Sequence, residues 1–502
     1  MGFSYEGDRM TVSEINKDPN FKNARPLDVH TWSEFNEVNI FIDKIHSELI
    51  QLQGNERINK KLLKVLLLDL YVAWSTDPTM MVMFSRDNNA YRSKSRYNEI
   101  HIGKKIVDIV DALVSQNVIH QQKGFNDRRN GIGFQSRLWP SEGLKQRFEK
   151  AKFSRFHISD HAQRETVVLR DKDKNAIDDY VENETTISTR SLLSDYNTLL
   201  ANTHIDIYDL DTPVLNIGQG TKGMRLPITQ TDKFVRRIFN NGRWDKGGRF
   251  YGGWWQRCPK EYRKRIVFDD IATAELDFSG LHIVLLYAKE NINYWTEVNE
   301  DPYSIHSIDG IDDTIDLRAA AKLLLLTALN ADTPTETFGA FRQQSANGSA
   351  EKRLKDKQLS TILDVLKHKH EPISHKLASG AGIDLMYLDS EITKIIIERF
   401  TRHYKCPILT IHDSYIVPFG YDRILYDEMQ NAFEKVSTVS FPAIEHTTQY
   451  YDILENGPLT DKPTDMSRFT PSARHLKDWQ EFKVFKSKPD DPEWLPHWTM
   501  IW

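Results

Sequence analysis

The chain has 502 residues, 39% apolar and 27% charged, with a formal net charge of −5, which is room for roughly three domains of about 150 residues and an ordinary composition for a soluble globular protein. No apolar run approaches the ~20 residues needed to cross a bilayer, and MGFSYEGDRM opens without a basic-then-apolar leader, so a cytoplasmic protein away from membranes is expected. Two cysteines, Cys258 and Cys406, exclude a disulfide framework and a zinc cluster.

In chain order, residues 1–55 are expected as a polar arm. From Glu56 to Trp74 the run KKLLKVLLLDLYVAW predicts a helix with a buried face. IGKKIVDIVDALVSQNVI at 102–119 predicts a second, with Ile106, Ile109, Val110 and Leu113 at helical spacing. A strand IHQQKGF, a polar turn FNDRRNGIG, a strand GFQSRLW and a short helix LKQRFEK follow. Helix, two-stranded ribbon and basic turn in that order resemble a winged helix. Residues 56–155 are therefore expected to contact DNA, a helix lying in the major groove and Arg128, Arg129 and Arg137 on the wing meeting phosphates. The competing reading is the same unit used only for packing.

Residues 156–224 read as a linker and a thumb-like helix, STRSLLSDYNTLLANTHIDI at 188–207. Across 225–455 short apolar runs alternate with helices, and across 456–502 a tail rich in Pro, Asp, Lys and Trp is expected to pack on the core. Lysine and arginine outnumber acids from Arg86 to Arg155, and more sharply from Lys233 to Arg265. Where charge sits matters more to nucleic-acid binding than its sum.

Three constellations carry chemistry. In FVRRIFNNGRWDKGGRFYGGWWQRCPKEYRKR, 234–265, the cations can neutralise phosphates, while Trp244, Tyr251, Trp254 and Trp255 offer faces for bases or sugars. Gly247 and Gly248 allow the backbone a close approach to a strand of nucleic acid. In the helix DLRAAAKLLLLTALNA, 316–331, Arg318 and Lys322 share a face at i, i+4, and Leu326 and Asn330 continue the stripe. Two cations in this register can grip a triphosphate, with the lysine placed to protonate or neutralise departing pyrophosphate. Asp277 and Asp413 each end a short apolar, strand-like run. Brought together, two such carboxylates suffice for a pair of Mg²⁺ ions, the backbone carbonyl of Phe278 completing the shell.

DKGGR at 245–249, DFSGLH at 277–282, RAAAK at 318–322 and IHDS at 411–414 resemble, in the same order, the palm and fingers motifs of family A DNA polymerases and single-subunit phage-type RNA polymerases. The resemblance covers the C-terminal half. It implies an α+β right-hand fold of palm, fingers and thumb, here with an N-terminal helical, winged-helix-like domain. It also implies catalysis by Asp277, Asp413 and Lys322 with two Mg²⁺, for which Mn²⁺ can substitute. Asp277, Phe278 and Asp413 would be the metal ligands, and Arg318 and Lys322 the triphosphate grip. Asp245 and Arg249 would position template or primer, and His412 would lie beside the primer terminus.

Positions that govern sugar choice side with neither family. His282 stands where family A DNA polymerases usually carry a glutamate that crowds the 2′-hydroxyl. Asn330 and Ala331 replace the usual Tyr-Gly pair, and Leu326 the DNA-polymerase aromatic. Ser414 and FGAFRQQ at 338–344 are similar to the RNA polymerases, DPYSIH at 301–306 to the DNA polymerases. Loss of the aromatic at Asn330 predicts a looser nascent pair and lower fidelity. No exonuclease-like acidic constellation appears in the N-terminal half. The expectation is a DNA polymerase without proofreading, with primase-like activity in view, replicating a mobile element. Its partners would be DNA template and primer, nucleoside triphosphates and a helicase or replication accessory protein. A small RNA polymerase or primase is the first alternative, and a non-catalytic DNA-binding replication initiator the second.

Overall fold

Helix propensity and apolar spacing build an N-terminal unit around α2 (Glu56–Thr76), which Asn55 caps by accepting the Ile58 N–H. The computed structural model describes residues 23–49, 52–87, 90–127, 132–218, 224–312, 314–437, 444–446 and 470–487. Part of the expected polar arm is folded into this unit. Strand β1 (Ala24–Pro26) joins a sheet, and α1 (Asn36–Glu48) buries Val38, Ile42 and Ile45 against α2. Apolar Ile40 and Phe41 between those positions blur their helical period in the sequence.

The sheet has the order β1, β2 (Met81–Phe84), β4 (Ser136–Pro140), β3 (Ile119–Gln122), parallel at the first pairing and antiparallel at the others. Helix α3 (Lys105–Ser115) buries Ile106, Ile109, Val110 and Leu113, and α4 (Glu142–Glu149) follows the sheet. Between β3 and β4 a hairpin pairs Phe125–Asp127 with Ile132–Phe134. Its tip, with Arg128 and Arg129, lies outside the described residues.

Arg137 does not sit on a solvated wing. It is 7% exposed on the inner strand β4, and its Nη1 donates to the Gln135 carbonyl at 2.7 Å. Burial pulls its guanidinium below the ordinary value, so it is no ready phosphate contact. The outward face of α3 also carries two acids, Asp108 and Asp111, paired with Lys105 and Arg86.

In the C-terminal half a six-stranded sheet has the order β6 (Ile205–Ile207), β9 (Ile266–Phe268), β10 (Ile271–Phe278), β12 (Ser414–Pro418), β11 (Leu409–Ile411). The sixth strand, β13 (Ile444–His446), also pairs with β10. A second sheet of three strands has the order β8 (Gly247–Gly252), β7 (Val235–Phe239), β5 (Val167–Leu169). Helix α6 (Leu281–Lys289) leaves β10, and α10 (Gly382–Glu398) and α11 (Asp422–Ser437) pack together beside the sheets. A separate group is made by α7 (Leu317–Asn330), α8 (Pro334–Gln344) and α9 (Asp356–Lys369). Helix α5 (Glu184–Ala201) ties in through the Tyr196 hydroxyl, which donates to the Ile408 carbonyl at 2.6 Å.

Of the C-terminal tail, the described part is α12 (Ala473–Lys486), which packs in two directions. His475, fully buried, bonds Asp206 at 2.7 Å and Asp270 at 3.0 Å, while Trp479 and Phe482 cluster with Phe156. Among the described residues no helix is long and apolar enough to cross a membrane.

Candidate active site

The two carboxylates that the sequence set 136 residues apart meet at one end of the six-stranded sheet. Asp277 stands in register with Ser414, and the N–H of Phe278 donates to the Asp413 carbonyl at 3.2 Å. Strands β11 and β12 are joined by His412 and Asp413 alone, because Ile411 pairs with Ser414. In that turn His412 has a φ of 58°, a left-handed conformation that costs a non-glycine residue about 1–2 kcal/mol. Backbone strain of this kind collects at functional sites. The Phe278 ring packs against Tyr415 and Phe433, and the residue is 2% exposed. Ser414 turns away, donating to Glu275 at 2.7 Å.

Burial raises the Asp413 carboxyl above its ordinary pKa, and the charge of Asp389 adds to the rise, against the pull of His282 and Arg249. Asp389, on α10, was not found from sequence. Burial acts to raise its carboxyl, but the neighbouring His282 imidazole and the charge of Arg249 outweigh that and hold it low. Arg249 Nε donates to Asp389 Oδ2 at 2.7 Å and Nη2 to His282 Nε2 at 3.1 Å, while Asp389 Oδ1 is buried without a hydrogen bond. The available signal was an acid inside the apolar helical run LMYLDSEITKII. Such an acid is rarely buried without a partner.

Arg318 and Lys322 occupy the exposed stripe of α7, with Leu326 half-buried and Asn330 exposed farther along it. Tyr303 connects this stripe to the carboxylates. The Lys322 ammonium lies 5.3 Å and the Arg318 guanidinium 5.9 Å from its ring centre. Burial, then the charge of Asp413, pushes the Tyr303 hydroxyl up to about 12, and Asp277 acts in the same direction. A Cβ added at Gly280, in the turn after Asp277, would stand 3.7 Å from that hydroxyl. Arg318 also pairs with Asp301. Asn330 turns its amide back to the Leu326 carbonyl at 2.8 Å.

Several sequence expectations change here. Trp254 and Trp255 are 0% exposed and edge-on to each other in the core. Trp244 packs edge-on to Phe239 and Tyr180. Indole rings are large apolar bodies, and the fold uses these as such. Gly247 and Gly248, at φ 72° and 77°, serve internal packing, since a Cβ on Gly248 would stand 2.7 Å from Ser390 Oγ and 3.1 Å from the Phe239 ring. Asp245 is exposed and paired with Arg243, outside the Arg249 network. His412 is exposed at the turn, its ring 6.4 Å from that of Tyr251.

Among the described residues no three His, Cys, Asp or Glu side chains are grouped as a metal site. The pair Asp277 and Asp413, with a backbone carbonyl, is an all-oxygen donor set of the kind hard Mg²⁺ takes when substrate phosphates and water fill the remaining positions. No protein-family model and no curated protein matches the sequence. Among solved structures, the chain is similar to the POL domain of Pol1 from M. smegmatis in complex with DNA primer-template and dNTP. The TM-score is 0.30 and the identity 10%, over 56% of this chain and 57% of that one. So low a score carries no weight beside the topology.

Proposed function

We propose that the chain is a template-directed nucleotidyltransferase whose working centre is the Asp277–Asp413 pair. One observation carries the reading. A strand-end carboxylate and a hairpin-tip carboxylate, adjoining across the Phe278–Asp413 hydrogen bond, are linked through Tyr303 to two cations at i, i+4 on a separate helix. Two Mg²⁺ ions held by Asp277, Asp413 and the Phe278 carbonyl would activate a 3′-hydroxyl and neutralise the leaving oxygen. Arg318 and Lys322 bind the triphosphate and offset the charge on pyrophosphate as the bond between the α- and β-phosphates breaks. The new bond joins the 3′-oxygen to the α-phosphorus. Arg249 holds His282 and Asp389 in fixed positions beside Asp413, so His282 acts on the sugar as a steric wall of set orientation.

The N-terminal sheet supports a winged-helix reading, with its last strand, β4, between β2 and β3. The acids on α3 favour packing over groove insertion. Primer extension with Mg²⁺, run with dNTPs and with rNTPs, with and without primer, tests the proposal and separates DNA polymerase from RNA polymerase or primase. Asp277→Ala and Asp413→Ala should each lower incorporation about 10³-fold or more. Incorporation that survives in both variants removes the two-carboxylate centre.

A further inference from the structure

The three-stranded sheet has one face that its own residues do not explain. Register pairs Arg236 with Tyr251 and Ile238 with Arg249, and Ile238 with Val168 on the other side. Side chains alternate along strands, so Arg236, Tyr251 and Arg249 share a face, and Arg170, two residues past Val168, falls on it too. The opposite face carries Arg237, Phe239, Val167 and Leu169, all buried.

On the first face Arg236 is exposed and Arg170 half-exposed, and neither forms an ion pair among the described residues. Desolvation, then the charges of Arg164 and Arg170, pulls the Arg236 guanidinium below its ordinary value. Arg164 is itself paired with Asp160, so Arg170 and Arg236 are the two guanidiniums whose charge a polyanion would meet. At the other end of the face the Tyr251 ring meets His412, and Arg249 reaches the carboxylate centre. Cations and an aromatic in a row are the pattern of a single-strand path, which needs charge for the backbone and a flat face for a base.

Resting on the nucleotidyltransferase reading, we propose that one strand of nucleic acid crosses Arg170, Arg236 and Tyr251 on its way to the Asp277–Asp413 centre. The strand's phosphates lie on the two arginines and a base rests on Tyr251 close to His412.

Binding of a labelled oligothymidylate to the full chain, followed by anisotropy across a salt series without nucleotides or Mg²⁺, tests the path independently of catalysis. Arg170→Gln with Arg236→Gln should make the log–log salt slope shallower by about 1.4, two single-strand phosphate contacts' worth. Tyr251→Ala should weaken binding about tenfold and leave the slope unchanged. Arg236→Lys should restore the slope, and unchanged thermal unfolding in each variant keeps misfolding out of the comparison. Wild-type slope in the double variant overturns the path whether or not the enzyme extends primers. Equal displacement by polyglutamate, with no effect of Tyr251→Ala, overturns it in favour of an acidic protein partner. A shallower slope in a chain that never incorporates nucleotides keeps the path and removes the catalytic reading.

Discussion

From Arg86 to Arg155 five of the described guanidiniums find carboxylates on other elements: Arg86 on Asp111, Arg92 on Asp178, Arg96 on Glu182, Arg147 on Glu48 and Arg155 on Asp478. From Lys233 to Arg265 most do the same: Arg237 on Glu391, Arg243 on Asp245, Arg249 on Asp389, Arg257 on Asp232, Arg263 on Glu275 and Arg265 on Asp209. Arg236 has no such partner among the described residues, and Arg249 is turned toward the carboxylate centre. The second stretch has the sharper surplus of positive charge, yet what its guanidiniums leave over for a ligand comes down to Arg236. The acids that neutralise the first stretch lie 25 to 323 positions away, so a local count overstates its free charge. Availability of charge is a property of the fold, and composition reports only its supply.

The contrast can be broken at its strongest point first. Arg237 is fully buried, donating to Gly248, Ser390 and Glu391, so Arg237→Ala should cost about 3–5 kcal/mol in denaturant unfolding, because it leaves an acid without its partner. Next comes Arg155, whose ion pair with Asp478 helps hold α12 alongside the His475 clamp. Hydrogen bonds that the His475 ring donates to Asp206 and Asp270 overcome desolvation and raise its imidazole to about 9. A raised folded pKa contributes stability that is complete below the unfolded value of about 6.5 and is lost as pH rises through about 9. Urea midpoints should therefore fall between about pH 6 and pH 10 by an amount of order 3 kcal/mol, and His475→Asn should flatten that dependence. At the centre itself, Tyr303→Ala should raise the KM for nucleoside triphosphate about tenfold, by freeing Arg318 and Lys322 from their common platform. The smallest effect belongs to the first stretch. Arg86→Ala should cost no more than about 1 kcal/mol and leave strand binding within twofold of wild type, roughly the reproducibility of such a titration.

What was legible in the sequence was the placement of residues held in short segments. DFSGLH and IHDS could be read because strand-end acids after apolar runs are a local pattern, and R-x-x-x-K because i, i+4 is fixed by the helix. What was not legible depended on side-chain direction or on distant partners. Trp254, Trp255, Gly248 and Arg137 have the residue types of a nucleic-acid surface, but the fold turns them inward. Asp389 acquires meaning only when α10 brings it to Arg249, 140 positions away. Tyr303 lies in the segment DPYSIH, which the sequence marks by resemblance, but its place between the helix cations and the carboxylates follows only from the fold.

The two-residue turn at His412 and Asp413 sets the tolerance of this region to changes in length. With Ile411 paired to Ser414, no slack exists to absorb an added residue. One insertion there would slip β12 by a position and exchange its two faces. The carboxylate would then leave the end of the sheet while every neighbouring side chain kept its identity. A gene carrying such a codon would encode a chain of nearly unchanged composition with no centre, whereas a longer insertion in an exposed loop such as Asn347–Gly348 would be borne with little loss.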